Sequence, residues 1–215
     1  MKAAHARGLT HLAITDHDRI DVALEARELA PAGLTIIVGE EVKTRDGDLI
    51  CVFLERAIPP GLSAVETIAA AREQDGLVGL PHPFDGMRGS ILKDESMAHI
   101  VDSVDWVETH NARVIGKGNE QASELALERG LRGVAVSDAH SIMEVGVAYT
   151  ALDGDPSTPA GLLAALPTAE LVPGRATFFV RLWTPLAKGV NRLRGNGRIQ
   201  PGEAAVGVST GDEGS

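Results

Sequence analysis

The sequence predicts an α/β domain, with a parallel sheet or barrel inside and helices outside. Three observations carry that expectation. Short apolar runs of β-type composition alternate with helical stretches along most of the chain, which is the rhythm of βα units. The 215 residues amount to one domain, or one domain and a tail, at roughly 150 residues per domain. Five of the apolar runs lead into clusters of histidine and carboxylate side chains, and in barrels of this class the chemistry gathers where strands end.

The elements follow in order. Residues 1–7 read as the last turns of a helix closed by Gly8, and residues 9–14 form the first short strand. A helical stretch runs from Asp21 to residue 29 and is stopped by Pro31 and Gly33. Residues 34–38, LTIIV, have the pattern of a buried strand. Asp46-Gly47 then separates β-type runs at 41–44 and 48–54, as in a hairpin. Ser63 and Glu66 form a capping box that opens a helix reaching residue 74. A strand at 77–80 ends in Pro81-His82-Pro83. A strand at 104–108, a helix at 119–129 and a strand at 134–136 continue the alternation. Residues 145–151 are expected to be extended, and Thr158-Pro159 pairs an N-cap with proline at the first helical position. Residues 170–172 make one more short strand, and Thr184-Pro185 opens a last helix. Residues 195–215 hold six glycines and almost no large apolar side chains, so they cannot repay the entropy of ordering and read as a flexible tail. This divides the chain into a core at 1–150, a segment at 151–194 that completes it, and the tail.

Composition excludes several classes. Thirty acidic against twenty basic residues, a formal charge of −10, argue against general nucleic-acid binding, which needs a basic face. Two Trp, one Tyr and four Phe are too few for a base-stacking surface. The lone cysteine, Cys51, rules out a disulfide framework, suits a reducing compartment and reads as a small buried hydrophobe. No apolar run approaches the roughly 20 residues that span a bilayer, and the first eight residues carry no signal-peptide core. The expectation is a cytoplasmic protein with no membrane role.

The five clusters are Thr15-Asp16-His17-Asp18, Gly39-Glu40-Glu41, Pro81-His82-Pro83, Glu108-Thr109-His110-Asn111-Ala112-Arg113 and Ser137-Asp138-Ala139-His140. Imidazole nitrogens mixed with carboxylate oxygens suit zinc, manganese or iron better than an all-oxygen cage for magnesium or calcium. Any one cluster has a plain explanation: a hydrogen-bonded histidine, or a helix cap at Asp18 or Asp21. Chance capping explains five in register poorly.

These motifs, in this order, resemble those of the PHP (polymerase and histidinol phosphatase) superfamily over roughly residues 1–150, and the chain looks like a small stand-alone phosphoesterase of that kind. The resemblance implies a distorted (β/α)7 barrel with two or three divalent ions, Mn, Zn or Fe, at its mouth. It implies His17, Glu41, His82, Asp138 and His140 as metal ligands, Glu41 bridging, and Asn111 where relatives carry Asn or His. His110 would reach the site only in a different strand register. The family's first strand carries a His-x-His pair, and no His-x-His occurs in this chain. The sequence therefore reads as a barrel lacking its first strand, through a mis-assigned start or a real loss.

If complete, the site would hydrolyse a small phosphate ester, such as a nucleotide or sugar phosphate, with metal-activated water. Asp16 is expected either to orient an imidazole or to ligate directly. Arg113 is a candidate phosphate clamp, with a solvated strand-end residue as the alternative. Residues 84–97 form a lid-like segment. A truncated, catalytically impaired protein that binds a ligand or partner is the competing reading. A metal-dependent amidohydrolase is disfavoured because its bridging lysine cannot be placed.

Overall fold

A short helix, α1 (Lys2–Ala6), leads into β1 (His11–His17), α2 (Asp21–Glu28), β2 (Thr35–Lys43) and β3 (Asp48–Val52). There follow α3 (Ala64–Arg72), β4 (Leu77–Leu80), α4 (Asp94–Ile100), β5 (Trp106–Asn111), α5 (Gly118–Arg129) and β6 (Arg132–Val136). The chain then runs through β7 (Tyr149–Ala151), α6 (Pro159–Ala165) and β8 (Glu170–Val172). This computed structural model describes residues 1–86 and 94–175. The helix expected at Thr184-Pro185, the Gly-rich tail and the middle of the 84–97 segment lie outside the described residues.

Strands β1 to β6 form one curled half-barrel sheet whose spatial order is the chain order. The α/β expectation holds, and the hairpin expected at Asp46-Gly47 makes the sheet mixed and not wholly parallel. β1–β2, β4–β5 and β5–β6 are parallel, but β3 is antiparallel to both of its neighbours. The cause is local: the Asp46-Gly47 turn sends the chain straight back beside β2 without the crossover that parallel pairing needs. The Thr44 hydroxyl holds that turn, donating to the Gly47 carbonyl at 2.6 Å and accepting from the Asp46 and Gly47 amides at 3.0 and 3.1 Å.

Both faces of the sheet are covered, as a βα sheet requires. On the convex face Val38, Val42, Cys51, Val78, Leu80 and Val107 pack against α2, α3, α4 and α5. On the concave face Ile37, Ile50, Val52, Leu77 and Trp106 meet Leu162 and Leu166 from the C-terminal stretch. Gly39 lets β2 pass between its neighbours, because a Cβ there would stand 2.8 Å from the Cys51 carbonyl and 2.9 Å from Thr15 Cγ2. No described helix is long and apolar enough to cross a membrane.

Strand ends differ from the sequence reading in an instructive way. The runs at 34–38 and 41–44 fuse into the single strand β2, and β1 extends through His17. Parallel pairing drives both, setting Thr15, Asp16 and His17 opposite Gly39, Glu40 and Glu41. β5 likewise runs on to Asn111. The metal-type residues of these three clusters thus stand on the final rungs of strands rather than in loops. Of the stretch 145–151, only Tyr149–Ala151 is a strand, paired with β8 in a separate two-stranded sheet.

Candidate metal centre

Strand alternation decides which of the candidate side chains can meet. His17 and Glu41 are paired across β1 and β2, and His17 Nδ1 lies 3.4 Å from Glu41 Oε2. The second carboxylate oxygen, Oε1, lies 3.7 Å from Nε2 of His82, just past the end of β4. The His82 amide donates to Glu108 Oε2 at 2.9 Å. Asn111 Nδ2 donates to that same Glu108 oxygen at 2.9 Å and to Asp138 Oδ2 at 3.1 Å. His140 Nδ1 is 3.0 Å from the Asp138 carbonyl and 3.4 Å from Asp138 Oδ1. A carbonyl can only accept, so Nδ1 carries the proton and Nε2 is the basic nitrogen of His140.

The six metal residues expected from the sequence therefore stand in one string, His17–Glu41–His82–Asn111–Asp138–His140, across the ends of five strands. Glu108, which heads the fourth cluster but is not among the ligands that the resemblance implies, sits inside the string. Burial pushes its carboxyl up and Asp138 adds to this, while the His82 charge and the bonds from Asn111 and the His82 amide oppose it. Asp48 lies outside all five clusters. It is the first residue of β3, 2% exposed, and one of its oxygens, a His17 ring nitrogen and a Glu41 oxygen all lie within 4.8 Å of one another. The signal for it is in the register: Asp48 faces Lys43 and Ile50 faces Glu41, so all four share one face of the hairpin.

Backbone strain gathers here too. His82 (φ 27°), Asp138 (φ 47°) and Asp18 (φ 55°) all adopt left-handed conformations at strand ends. The Asp18 carboxylate accepts from the Lys43 amide at 2.7 Å, tying the end of β1 to the end of β2.

The remaining candidates lie elsewhere. Asp16 alternates to the opposite side of β1 from His17 and is exposed. Desolvation by the surrounding protein holds its carboxyl above the usual range and the Asp21 charge adds to this, while the charges of Arg19, His17 and His140 oppose it. The Arg113 guanidinium is ion-paired with Glu144, which is 1% exposed. His110 points away from the string: its Nε2 lies 2.8 Å from the Gly174 carbonyl, after an irregularity in β5 between Glu108 and His110. Glu40 faces the convex layer, fully buried, accepting from the Ile58 amide at 3.0 Å through Oε2, with no hydrogen-bond partner for Oε1. Burial raises its carboxyl to about 7, the Ile58 bond opposing and Asp18 adding.

The donor set fits a divalent cation. His17 Nδ1 is buried without a hydrogen-bond partner and faces carboxylates, and such mixed nitrogen and oxygen donors suit zinc, manganese or iron.

Residues 116–170 match the model of the PHP-associated family, a span that includes Asp138 and His140. An uncharacterized protein of Methanocaldococcus jannaschii, MJ1587, is 40% identical over 85 residues, 39% of this chain and 50% of that protein. A second one, MJ0417, is 38% identical over 117 residues, 53% of this chain and 49% of that protein. The chain thus matches about half the length of these two relatives. Among solved structures, a two-domain protein of Bacteroides vulgatus containing a predicted PHP-like metal-dependent phosphoesterase superposes with a TM-score of 0.65 at 18% identity, over 80% of this chain and 58% of that one. PsfC of Pseudomonas syringae gives 0.62 at 19% identity, over 90% and 86%. The lesion-specific endonuclease EndoQ of Pyrococcus furiosus gives 0.53 at 15%, over 79% and 51%.

Proposed function

We propose that the chain, whose residues 116–170 match the PHP-associated family, is a PHP-type metal-dependent phosphoesterase that hydrolyses a small phosphate ester. The observation that carries this reading is the string of nitrogen and oxygen donors centred on Glu41, whose two carboxylate oxygens face different histidines. His17, Glu41 and Asp48 would hold a divalent ion at one end of the string. His82, Asp138 and His140, with Glu41, would hold a second at the other, where Asn111 stands between His82 and Asp138 and offers Oδ1 as a further donor. Bound there, Mn, Zn or Fe would supply Lewis-acid polarisation of a phosphoryl oxygen and make a water more acidic at neutral pH.

The chain's own residues set the rest. Glu41 and Asp48 concentrate negative charge in a buried place, so the site disfavours a bare phosphate until that charge is neutralised. Glu108 and the left-handed backbone at His82 and Asp138 fix the directions of the donors. In the reaction a water oxygen bonds to phosphorus, the ester P–O bond breaks, and the leaving alcohol takes up a proton. The formal charge of −10 supports a small ester over a polyanion as substrate.

The test is direct. Metal-stripped protein is reloaded with Mn2+, its metal content measured by elemental analysis, and hydrolysis of p-nitrophenyl phosphate and bis-p-nitrophenyl phosphate followed. Wild type is expected to retain at least one equivalent and cleave one of the esters, and Glu41→Gln and Asp138→Asn to lose both properties. Full activity in either variant would remove that residue from the site, and a wild type that binds Mn2+ and cleaves neither ester would defeat the phosphoesterase reading.

A further inference from the structure

Glu144 lies six residues after Asp138 and outside the five motif clusters, yet it is among the most deeply buried charged residues described. Both of its oxygens are engaged. Oε1 meets the Arg113 guanidinium, and Oε2 accepts from the His140 amide at 3.0 Å and from the Ser141 hydroxyl at 2.9 Å. Arg113, for its part, is tied to the metal string at its other end, its amide donating to Asn111 Oδ1 at 2.9 Å. The two residues therefore link the turn that carries Asp138 and His140 to the β5 end that carries Asn111.

A buried ion pair is a costly way to stabilise a loop, and apolar replacements are often as good. What such a pair does supply is direction, because a guanidinium and a carboxylate meet in a fixed geometry. We propose that Arg113 and Glu144 are positioning residues: their ion pair clamps the His140 turn against β5, so that Asp138, His140 and Asn111 present their donors to one metal ion. This rests on the metal-dependent reading above. It gives Arg113 a task carried out through Glu144, in place of direct contact with the phosphate. Groups that hold metal ligands in place typically govern affinity by about 10- to 100-fold, and that is the size expected here.

The experiment uses the full chain and Mn2+ as the probe, with calorimetric titration of metal-stripped protein beside steady-state hydrolysis of bis-p-nitrophenyl phosphate. Glu144→Gln is expected to weaken one class of Mn2+ site at least tenfold and leave the other, at His17, Glu41 and Asp48, within threefold of wild type. Its kcat should fall while KM stays within twofold, and excess Mn2+ should restore kcat. A purely structural role would not produce that selective loss or that rescue. Should Glu144→Gln fail to fold, the double variant Arg113→Met with Glu144→Met buries no charge, lacks the acceptor for the His140 amide, and is expected to show the same selective loss. Unchanged Mn2+ affinity in a folded variant would overturn the proposal. So would an Arg113→Met variant whose KM rises tenfold with its metal sites intact, which is the signature of a phosphate clamp. A wild type that binds Mn2+ and cleaves nothing sinks the phosphoesterase reading alone, since the affinities still report on the clamp; one that binds no Mn2+ overturns both.

Discussion

Replacing Asp48 by asparagine removes one negative charge and keeps the side chain's shape. The Asp48 carboxylate shares a pocket with His17 and Glu41, all three contributing atoms within 4.8 Å of one another. Two unit charges about 4 Å apart interact by about 4 kcal/mol at an effective dielectric of 20, so a divalent ion attracts Asp48 by about 8 kcal/mol before other costs. Most of that is offset, because the ion is desolvated in either protein and the amide of the variant still offers a carbonyl oxygen. If a third survives, the loss is about 2.7 kcal/mol, or roughly a hundredfold in Mn2+ affinity. The metal-free protein should respond in the opposite sense. There the substitution relieves repulsion between two buried carboxylates, so stability without metal should hold or rise. The assay is paired: Mn2+ titration by calorimetry, and urea unfolding with and without Mn2+. A Mn2+ Kd within threefold of wild type would refute the reasoning, whatever the unfolding curves did.

Three further outcomes are expected. Glu40 has a folded-state value raised from 4.5 to about 7, so its contribution to stability is fully present below pH 4.5 and is lost as pH rises through 7, a change on the order of 3 kcal/mol. Urea unfolding of metal-free Glu40→Gln at pH 5 and pH 8 should lack that part of the slope, and equal slopes would discard the assignment. Cys51 is fully buried, and burial with Glu40 nearby pushes its thiol well up, so native protein should not react with a thiol reagent faster than it unfolds; quick labelling would contradict the packing. Gly79→Ala would set a Cβ 2.7 Å from Trp106 Cζ2 and closer still to Cε2 and Nε1, which puts the cost at the upper end of the typical 1–3 kcal/mol for overpacking. A urea midpoint equal to wild type would show that the ring moves aside freely.

Much of this is legible in the sequence because it depends on neighbours along the chain. The Ser63 capping box closes as expected, its hydroxyl accepting from the Glu66 amide at 3.3 Å and its amide donating to the Glu66 carboxylate at 2.7 Å. The Thr158 cap and the Asp46-Gly47 hairpin are equally local. The string of metal-type residues can be listed because each follows a readable apolar run. What stays hidden depends on pairing between distant segments. Nothing near Asp48 in the chain places it beside His17, thirty-one residues earlier, and nothing near Glu144 points to Arg113, thirty-one residues before it. His110 stays open in the sequence for the same reason: the irregularity at Thr109 that turns its ring toward Gly174 belongs to the β5–β6 pairing.

Glu40 and Glu41 make the physical point most directly. They are adjacent and chemically alike, and the two-residue period of a strand sends them to opposite layers. Glu41 enters a cluster of donors where a cation can keep it charged; Glu40 enters an apolar layer that favours its protonated form. The same parity governs Asp48, but through the turn. Because Thr44 closes a hairpin that sets Lys43 opposite Asp48, the first residue of β3 falls on the Glu41 face. A one-residue slip of β3 against β2 would leave every motif in the sequence intact and carry Asp48 to the other layer. The candidate donors are thus listed by the motifs, while Asp48 joins them through a hairpin register that lies outside the five clusters.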